Sequence, residues 1–285
     1  MQTPHESIRY DTLVLNGNST NAIITLGALQ YIYDNRMRDA IVNMIGTSSG
    51  SIICSLLAVG YTPLELMTTI CCDKLYAKVA NFNFGNLILL GRGLMPFETV
   101  SNIITDMISD KIGYIPTLSE LYGTTGKNLV CVTYNLTTDS KEYLSNSNHP
   151  NMPITIAVRM SSTFPFVFDP FEYDSNVYVD GGIVDNFAID YGEKIGCRCL
   201  GVYTRNPKKP YSEDLGRISL IYKLFNALVN SLSEDKIEKC TRSDIIVVDY
   251  NHGFFYFVYS DLELIDQFDK GYDICKIFYR EKLSS

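Results

Sequence analysis

The chain has 285 residues, of which 46% are apolar and 20% charged, and its formal net charge is −8. This length and composition favour one large α/β domain over two small ones. The acidic balance argues against a nucleic-acid partner, and no apolar run approaches the roughly 20 residues of a membrane span.

The N-terminus and the cysteines bear on the cellular compartment. The first residues, MQTPHESIRYDTL, lack the apolar region of a signal peptide. The eight cysteines show no zinc-site spacing, and most lie within apolar strand or helix patterns, where thiols act as small hydrophobes. These observations predict an intracellular, cytoplasmic protein without structural disulfides, in peripheral contact with membranes at most.

The chain opens with a strand, a small-residue turn and a helix, followed by a second strand and a second helix. This βαβα start is typical of a mostly parallel sheet covered by helices. Thr62 and Pro63 have the residue types of an N-cap and a first helical position. The predicted elements of this half are strands at 12–16 and 41–45 and helices at 23–33, after Gly50, after Thr62 and at 96–111.

The second half continues to alternate strands with helices and contains no internal repeat, linker or low-complexity stretch. The long helical pattern at 214–239 has a predicted break at 231–233, where two serines occur. The predicted elements are strands at 128–134, 141–144, 177–179, 199–203 and 244–249 and helices at 153–162, 187–195, 214–239 and 262–279.

A nucleophile motif lies between the second strand and the second helix. Gly46-Thr47-Ser48-Ser49-Gly50 is a G-x-S-x-G sequence in the strand–turn–helix context that this motif requires. Glycines on both sides relieve crowding in the sharp turn, and the following helix directs free N–H groups toward the reacting atoms. Ser48 is therefore a candidate nucleophile.

A serine hydroxyl needs a base to remove its proton, and two candidates remain open from the residues alone. His252 follows the last strand, so Ser48, Asp180 and His252 have the chain order of an α/β-hydrolase triad. Only one strand precedes the nucleophile strand, which argues against that fold. Asp180 ends a strand and precedes Gly181 and Gly182, which is also common turn chemistry.

The two motifs together resemble the patatin-like phospholipase family. The resemblance rests on LVLNGNSTNAIITLGALQYI, the Ser48 elbow, VTYNLTT, AVRMSSTFPFVFDPF, YVDGGIVDNFAI and SDLELIDQFDKGY, and it covers the chain from about residue 12 to residue 279. It implies a three-layer α/β/α fold with a mostly parallel central sheet. It also implies a Ser–Asp dyad without histidine, in which Ser48 is the nucleophile and Asp180 its general base.

One element departs from the family pattern. The family has a G-G-G-x-[KR]-G loop after the first strand, whose backbone N–H groups form the oxyanion hole. This chain has Gly17-Asn18-Ser19-Thr20-Asn21-Ala22 there, with one glycine and no basic residue. By resemblance Gly17, Asn18 and Ser19, with Ser49, are the oxyanion residues. Asn18 tolerates left-handed geometry more readily than Ser19 does.

The predicted organisation is an N-terminal tail at 1–11, a single patatin-like domain at 12–279 and a C-terminal tail at 280–285. The resemblance implies an acyl hydrolase of the phospholipase A or lysophospholipase type that needs no metal or cofactor. A triacylglycerol or galactolipid lipase with the same mechanism, and a catalytically silent lipid- or protein-binding domain, are the alternatives. The apolar, glycine-punctuated segment 81–97 is interpreted either as a loop that covers the core or as part of a lipid-facing rim, and Phe254, Phe255 and Phe257 are further candidates for that rim.

Overall fold

The computed structural model describes residues 9–73, 75, 93, 95–165, 167–205, 217–250 and 259–284. Its centre is one mixed sheet in the order β5-β6-β3-β2-β1-β7-β8, with β4 paired to β3. The five strands from β3 to β8 along this path run parallel, and β4, β5 and β6 add antiparallel pairings. The strands are β1 Thr12–Leu15, β2 Asn43–Thr47, β3 Asn128–Asn135, β4 Ser140–Leu144, β5 Phe171–Tyr173, β6 Asn176–Asp180, β7 Cys199–Arg205 and β8 Ser243–Asp249.

Helices cover both faces of the sheet, which confirms the predicted α/β class and the mostly parallel sheet. Along β1, Leu13 and Leu15 join the larger buried cluster and Val14 joins a second cluster on the opposite face. The helices are α1 Ala22–Asp34, α2 Ser49–Ala58, α3 Pro63–Cys72, α4 Glu98–Ile112, α5 Leu118–Thr125, α6 Ile154–Ser162, α7 Gly182–Asp185, α8 Ile189–Ile195, α9 Arg217–Lys239 and α10 Asp261–Ser284.

Most predicted elements are confirmed, and the start of α3 shows the predicted chemistry. Thr62 accepts a hydrogen bond from the Glu65 N–H, Glu65 bonds back to the Thr62 N–H, and Pro63 occupies the first turn. The C-terminal helix runs to Ser284, beyond the predicted end at 279. The sequence patterns missed three short elements, α5, α7 and β5.

The predicted break in the long helix is wrong, because α9 continues from Arg217 to Lys239. The Ser233 hydroxyl donates to the Val229 carbonyl oxygen one turn earlier, at 2.9 Å. A serine that bonds back to its own helix is satisfied locally and does not need to end it. The predicted start of the helix at 187 also moves, to Ile189.

Helices α1 and α10 pack with their backbones in direct contact. A Cβ atom on Gly27 of α1 would overlap the carbonyl oxygen of Phe268 in α10. A Cβ atom on Gly271 of α10 would overlap the carbonyl oxygen of Ile24 in α1. Each helix therefore presents a glycine to the backbone of the other, and the C-terminal helix is part of the core.

Within the described ranges, no single helix has the length and apolar character to cross a membrane. Helices α2 and α3 have that length and apolar character only when taken together, and they are bent against each other by 116°. Four of the eight cysteines are buried, which agrees with their predicted role as small hydrophobes: Cys54, Cys131, Cys199 and Cys275.

Candidate active site

Ser48 occupies a strained turn between β2 and α2. Its φ of +54° and ψ of −125° lie in a region that residues with side chains rarely adopt. The turn is tight because a Cβ on Gly46 would overlap the backbone of Gly50, and a Cβ on Gly50 would lie 2.6 Å from the Leu15 carbonyl oxygen. Both motif glycines are thus required by close backbone approach, as a nucleophile elbow predicts.

Two serines at the end of α6 hold the backbone of this turn. The Ser48 N–H donates to Ser161 Oγ at 3.0 Å, and Ser162 Oγ donates to the Ser48 carbonyl oxygen at 3.1 Å. Ser51 Oγ donates to the same carbonyl at 2.6 Å. These bonds fix the strained conformation from both sides.

Asp180 ends β6, where it pairs with Thr133 of β3, and it is completely buried. The Gly182 N–H donates to Asp180 Oδ1 at 2.7 Å, whereas Oδ2 has no hydrogen-bond partner within the described part of the chain. Burial raises the pKa of Asp180 to about 7, and the nearby Ser48 hydroxyl and the Gly182 N–H oppose that rise. The Ser48 hydroxyl thus lies close enough to Asp180 to lower its pKa, although the distance and angle between the two side chains do not meet the criteria for a hydrogen bond.

The loop after β1 is held by Asn186, which sequence patterns did not single out, and by Ser49, which they did. The Gly17 N–H donates to Asn186 Oδ1 at 3.1 Å, and Asn186 Nδ2 donates to the Gly17 carbonyl at 3.0 Å. The Asn18 N–H donates to Ser49 Oγ at 2.9 Å, and Ser49 Oγ donates to Asn18 Oδ1 at 2.8 Å. Two of the predicted oxyanion donors therefore have acceptors within the protein.

The left-handed position in this loop is Ser19, with φ of +54°, whereas Asn18 has φ of −142°. Asn18 instead uses its side chain, since Nδ2 donates to Thr204 Oγ1 at 2.6 Å and to Thr25 Oγ1 at 2.9 Å. A family loop built on glycines would reach its geometry through backbone freedom. This chain reaches a fixed loop geometry through buried side-chain hydrogen bonds.

A buried charge network lies immediately after the Asp180 turn. Asp185 Oδ2 accepts from Lys141 Nζ at 2.9 Å and from Tyr143 OH at 2.7 Å, and Asp185 Oδ1 accepts from Lys236 Nζ at 2.7 Å. These partners, Lys236 foremost, outweigh burial and lower the pKa of Asp185. The Asp185 carbonyl also accepts from Thr47 Oγ1 at 3.1 Å, so the network reaches the residue before Ser48.

An apolar cavity of about 240 Å³ opens beside Ser48. Helices α2, α3 and α4 supply about half of its lining residues, and its polar contributors within the described residues are four serines, Ser48 among them. Pockets that enclose a whole drug-sized ligand measure roughly 300–1,000 Å³, so this cavity suits the apolar part of a larger molecule. Its lining includes Ser19, Ser49, Ile53, Leu56, Leu66, Met95, Phe97, Ile104, Met107, Ser162, Phe164 and Phe168.

Most of the remaining candidates from the sequence lie outside the described residues. Of the segment 81–97, residues 81–92 and 94 lie outside the described residues, and Met95 and Phe97 are buried in the cavity wall. His252 and the aromatics Phe254, Phe255 and Phe257 also lie outside them. Among described residues no group of three His, Cys, Asp or Glu side chains is arranged to hold a metal ion.

Comparisons with known proteins identify the family of this chain. The model of the patatin-like phospholipase family matches residues 13–192, a range that includes Ser48 and Asp180. The chain belongs to the patatin-like phospholipase family. This membership, and similarity to a protein named as a probable lipid hydrolase, support lipid hydrolase activity.

Two relatives of this patatin-like chain illustrate its similarity in sequence. Probable lipid hydrolase 463L of Invertebrate iridescent virus 6 is 29% identical over 288 residues, which cover 96% of this chain and 90% of that protein. Protein YqhO of Bacillus subtilis is 26% identical over 248 residues, covering 78% of this chain and 79% of that one.

Two solved structures share the fold. VipD from Legionella pneumophila superposes with a TM-score of 0.56 at 15% identity, over 95% of this chain and 67% of VipD. ExoU from Pseudomonas aeruginosa, in its complex with SpcU, gives 0.53 at 12% identity, over 96% of this chain. The chain spans 53% of that matched chain, about half its length.

Proposed function

We propose that this chain hydrolyses acyl esters of glycerolipids, as a phospholipase A or lysophospholipase, through a Ser48–Asp180 dyad and an acyl-enzyme. The observation that carries the proposal is the position of a strained serine at an apolar cavity, beside a buried carboxyl group that lacks a cation. An aspartate in that setting titrates near neutral pH, where a general base is most effective.

In the proposed first half-reaction, the Asp180 carboxylate accepts the Ser48 proton while Ser48 Oγ attacks the ester carbonyl. The C–O bond to the lysolipid or glycerol then breaks, and the leaving oxygen takes the proton from Asp180. In the second half-reaction, water attacks the acyl-enzyme and gives its proton to Asp180. Ser48 recovers a proton as the fatty acid leaves, so no external acid or base is consumed.

The oxyanion requires a local rearrangement in this scheme. The Asn18 N–H can face the developing negative charge only when Ser49 Oγ moves away from it, because that oxygen is its present acceptor. In this scheme the Ser49 side chain rotates and gives up the two hydrogen bonds that join it to Asn18. The acyl chain of the substrate would occupy the cavity next to this point.

A second candidate function is a lipid-binding domain without turnover. The observation that favours it is the same pair of internal acceptors, Ser49 Oγ on Asn18 and Asn186 Oδ1 on Gly17, since both contact predicted oxyanion donors. The cavity serves either function. Chemistry at Ser48 is what separates them.

Covalent labelling with a fluorophosphonate tests the proposal directly. We expect labelling of the wild type and of Ser49→Ala, and no labelling of Ser48→Ala, because only Ser48 occupies the elbow. Hydrolysis of a short-chain p-nitrophenyl ester should follow the same pattern. Labelling that persists in Ser48→Ala would refute the assignment, and a wild type that neither labels nor turns over would favour the binding domain.

A further inference from the structure

Helix α9 carries a row of apolar residues on its solvent-facing side. In a surface helix the apolar stripe normally faces the core and polar residues face solvent. In α9 the solvent-facing positions are apolar at four-residue intervals, and the exposed fractions of three of them are 59% for Leu224, 68% for Leu228 and 53% for Leu232. Leu220, at the start of this row, is 37% exposed. We call Leu220, Leu224, Leu228 and Leu232 the leucine row.

The inner face of α9 is already occupied, so the leucine row is not a misplaced core stripe. Val229 and Ser233 are buried, and Asn230 accepts a hydrogen bond from Tyr203 OH at 3.2 Å. At the charged end of the helix Lys236 is bonded to Asp185 and Asp190. These contacts fix which side of the helix faces outward.

Helix α9 contacts the wall of the cavity beside Ser48. Phe225, next to Leu224, packs edge-on against Phe164 with ring centroids 5.4 Å apart, and Phe164 lines the cavity beside Ser48. Through Lys236 the same helix is tied to Asp185, five residues after Asp180. The helix that carries the leucine row therefore also contacts the wall of the cavity that would hold the acyl chain.

The helix segment that carries the leucine row also differs in charge from the whole chain. Residues 217–233 contain no aspartate or glutamate and include Arg217 and Lys223, although the chain as a whole has a net charge of −8. A locally non-acidic, apolar helix face is the type of surface that settles into the boundary between lipid head groups and acyl chains. The anionic remainder of the molecule would be repelled from an acidic membrane surface.

We infer that the leucine row of α9 is the surface by which this protein docks on a lipid aggregate, so that the cavity beside Ser48 faces the acyl layer. The inference rests on the proposed function, because it gives the docked lipid as the substrate. The membrane contact is then made by α9, which its sequence pattern predicts only as a helix that covers the sheet. Binding should depend on apolar burial and change little with salt.

The test compares two double variants of exposed apolar residues. Leu224→Gln/Leu228→Gln removes the centre of the leucine row. Leu262→Gln/Ile265→Gln is the matched control on α10, where the exposed fractions are 79% and 49%. Both pairs lie outside the core, so both variants should fold. Vesicle binding is measured by sedimentation with phosphatidylcholine vesicles, on full-length chains that also carry Ser48→Ala, so that no lipid is consumed.

We expect the α9 variant to bind vesicles at least tenfold more weakly, since moving one leucine from water into an apolar layer is worth roughly tenfold in partitioning. The control should stay within about twofold of its parent, and 0.5 M salt should leave binding nearly unchanged. In chains with Ser48 restored, hydrolysis of vesicle lipid should fall in the α9 variant while hydrolysis of the soluble p-nitrophenyl ester does not.

Two results would overturn the inference: unchanged vesicle binding in the α9 variant, and an equal loss of binding in the control. If vesicle binding is unchanged and light scattering finds a dimeric wild type and a monomeric α9 variant, the row joins two copies of this chain instead. Failure of the proposed function is separate: it would appear as absent soluble-ester hydrolysis in the wild type, whatever the vesicles show.

Discussion

Asp180 and Asp185 are two buried carboxyl groups in one turn of the chain, and their surroundings give them opposite properties. Asp180 receives one backbone N–H and no cation, and burial raises its pKa to about 7. Asp185 receives two lysines and a tyrosine hydroxyl, which lower its pKa despite burial. Burial alone therefore does not assign a role to a carboxyl group. An unpaired buried carboxyl is poised to take a proton, whereas a paired one serves as an anchor.

The largest expected effect is on turnover. Asp180→Asn should lower the rate of p-nitrophenyl ester hydrolysis by roughly 10²–10⁴, the usual contribution of a general base. Asp185→Asn should lose much less, because Asp185 acts only through the turn that it anchors. The acid limb of the wild-type rate profile should have its midpoint near pH 7, with activity falling as Asp180 becomes protonated.

His252→Ala is the control for this prediction, and it should keep most of the wild-type rate. If its loss matched that of Asp180→Asn, the histidine would be the base, and the contrast between the two aspartates would have no catalytic meaning.

The next effect concerns folding stability and has opposite signs at the two positions. The Asp180 carboxyl has a pKa near 4 in the unfolded chain and about 7 in the folded chain. Its contribution to folding stability is therefore fully present below about pH 4 and is lost as the pH rises through 7. Relative to the wild type, Asp180→Asn should therefore gain about 4 kcal/mol between pH 4 and pH 8. Denaturant unfolding at the two pH values measures this difference, and any constant cost of the asparagine cancels.

Asp185→Asn should show the reverse. A lowered pKa stabilises the folded state above about pH 4, and that contribution is lost as the pH falls through the folded pKa. The variant should be less stable than the wild type by about 1–3 kcal/mol at pH 8, because charge-assisted hydrogen bonds are lost. Its deficit should shrink at low pH. Parallel pH curves for the two variants would show that the two carboxyls share one environment.

The smallest expected effect is in the oxyanion loop, which is held by the residue next to Asp185. Asn186, next to Asp185, bonds to both backbone groups of Gly17. If these bonds already fix the loop, Asn18→Gly/Ser19→Gly should change turnover only a few fold, with some loss of stability from added backbone freedom. A gain near a hundredfold would mean that the natural loop is collapsed and the protein a weakened hydrolase.

The sequence was informative wherever chemistry depends on neighbours along the chain. The Ser48 elbow, the strand before it and the N-cap at Thr62 are local patterns, and the structure has all three. The family resemblance correctly predicted the fold. The dyad itself stays a prediction until its two residues are changed.

Contacts between distant segments were beyond any local pattern. No spacing indicates that Asn186 bonds to Gly17, 169 residues away, or that Ser161 holds the Ser48 N–H across 113 residues. The helix break predicted at 231–233 failed for a related reason, since serine propensity ignores a hydrogen bond to the preceding turn. The polar pair Asp185-Asn186 after the two glycines was the one available signal for the anchor.

The glycine contacts between α1 and α10 have a consequence for how this fold can change length. An inserted or deleted residue turns the rest of a helix by about 100°. If the ends of the helix stay fixed, such a change moves Gly27 or Gly271 away from the contact and brings in a residue with a Cβ atom. The opposing backbone leaves no room for that atom. Loops between elements can gain or lose residues without this penalty. Length variation among related chains should therefore spare the interiors of these two helices and accumulate between the other elements.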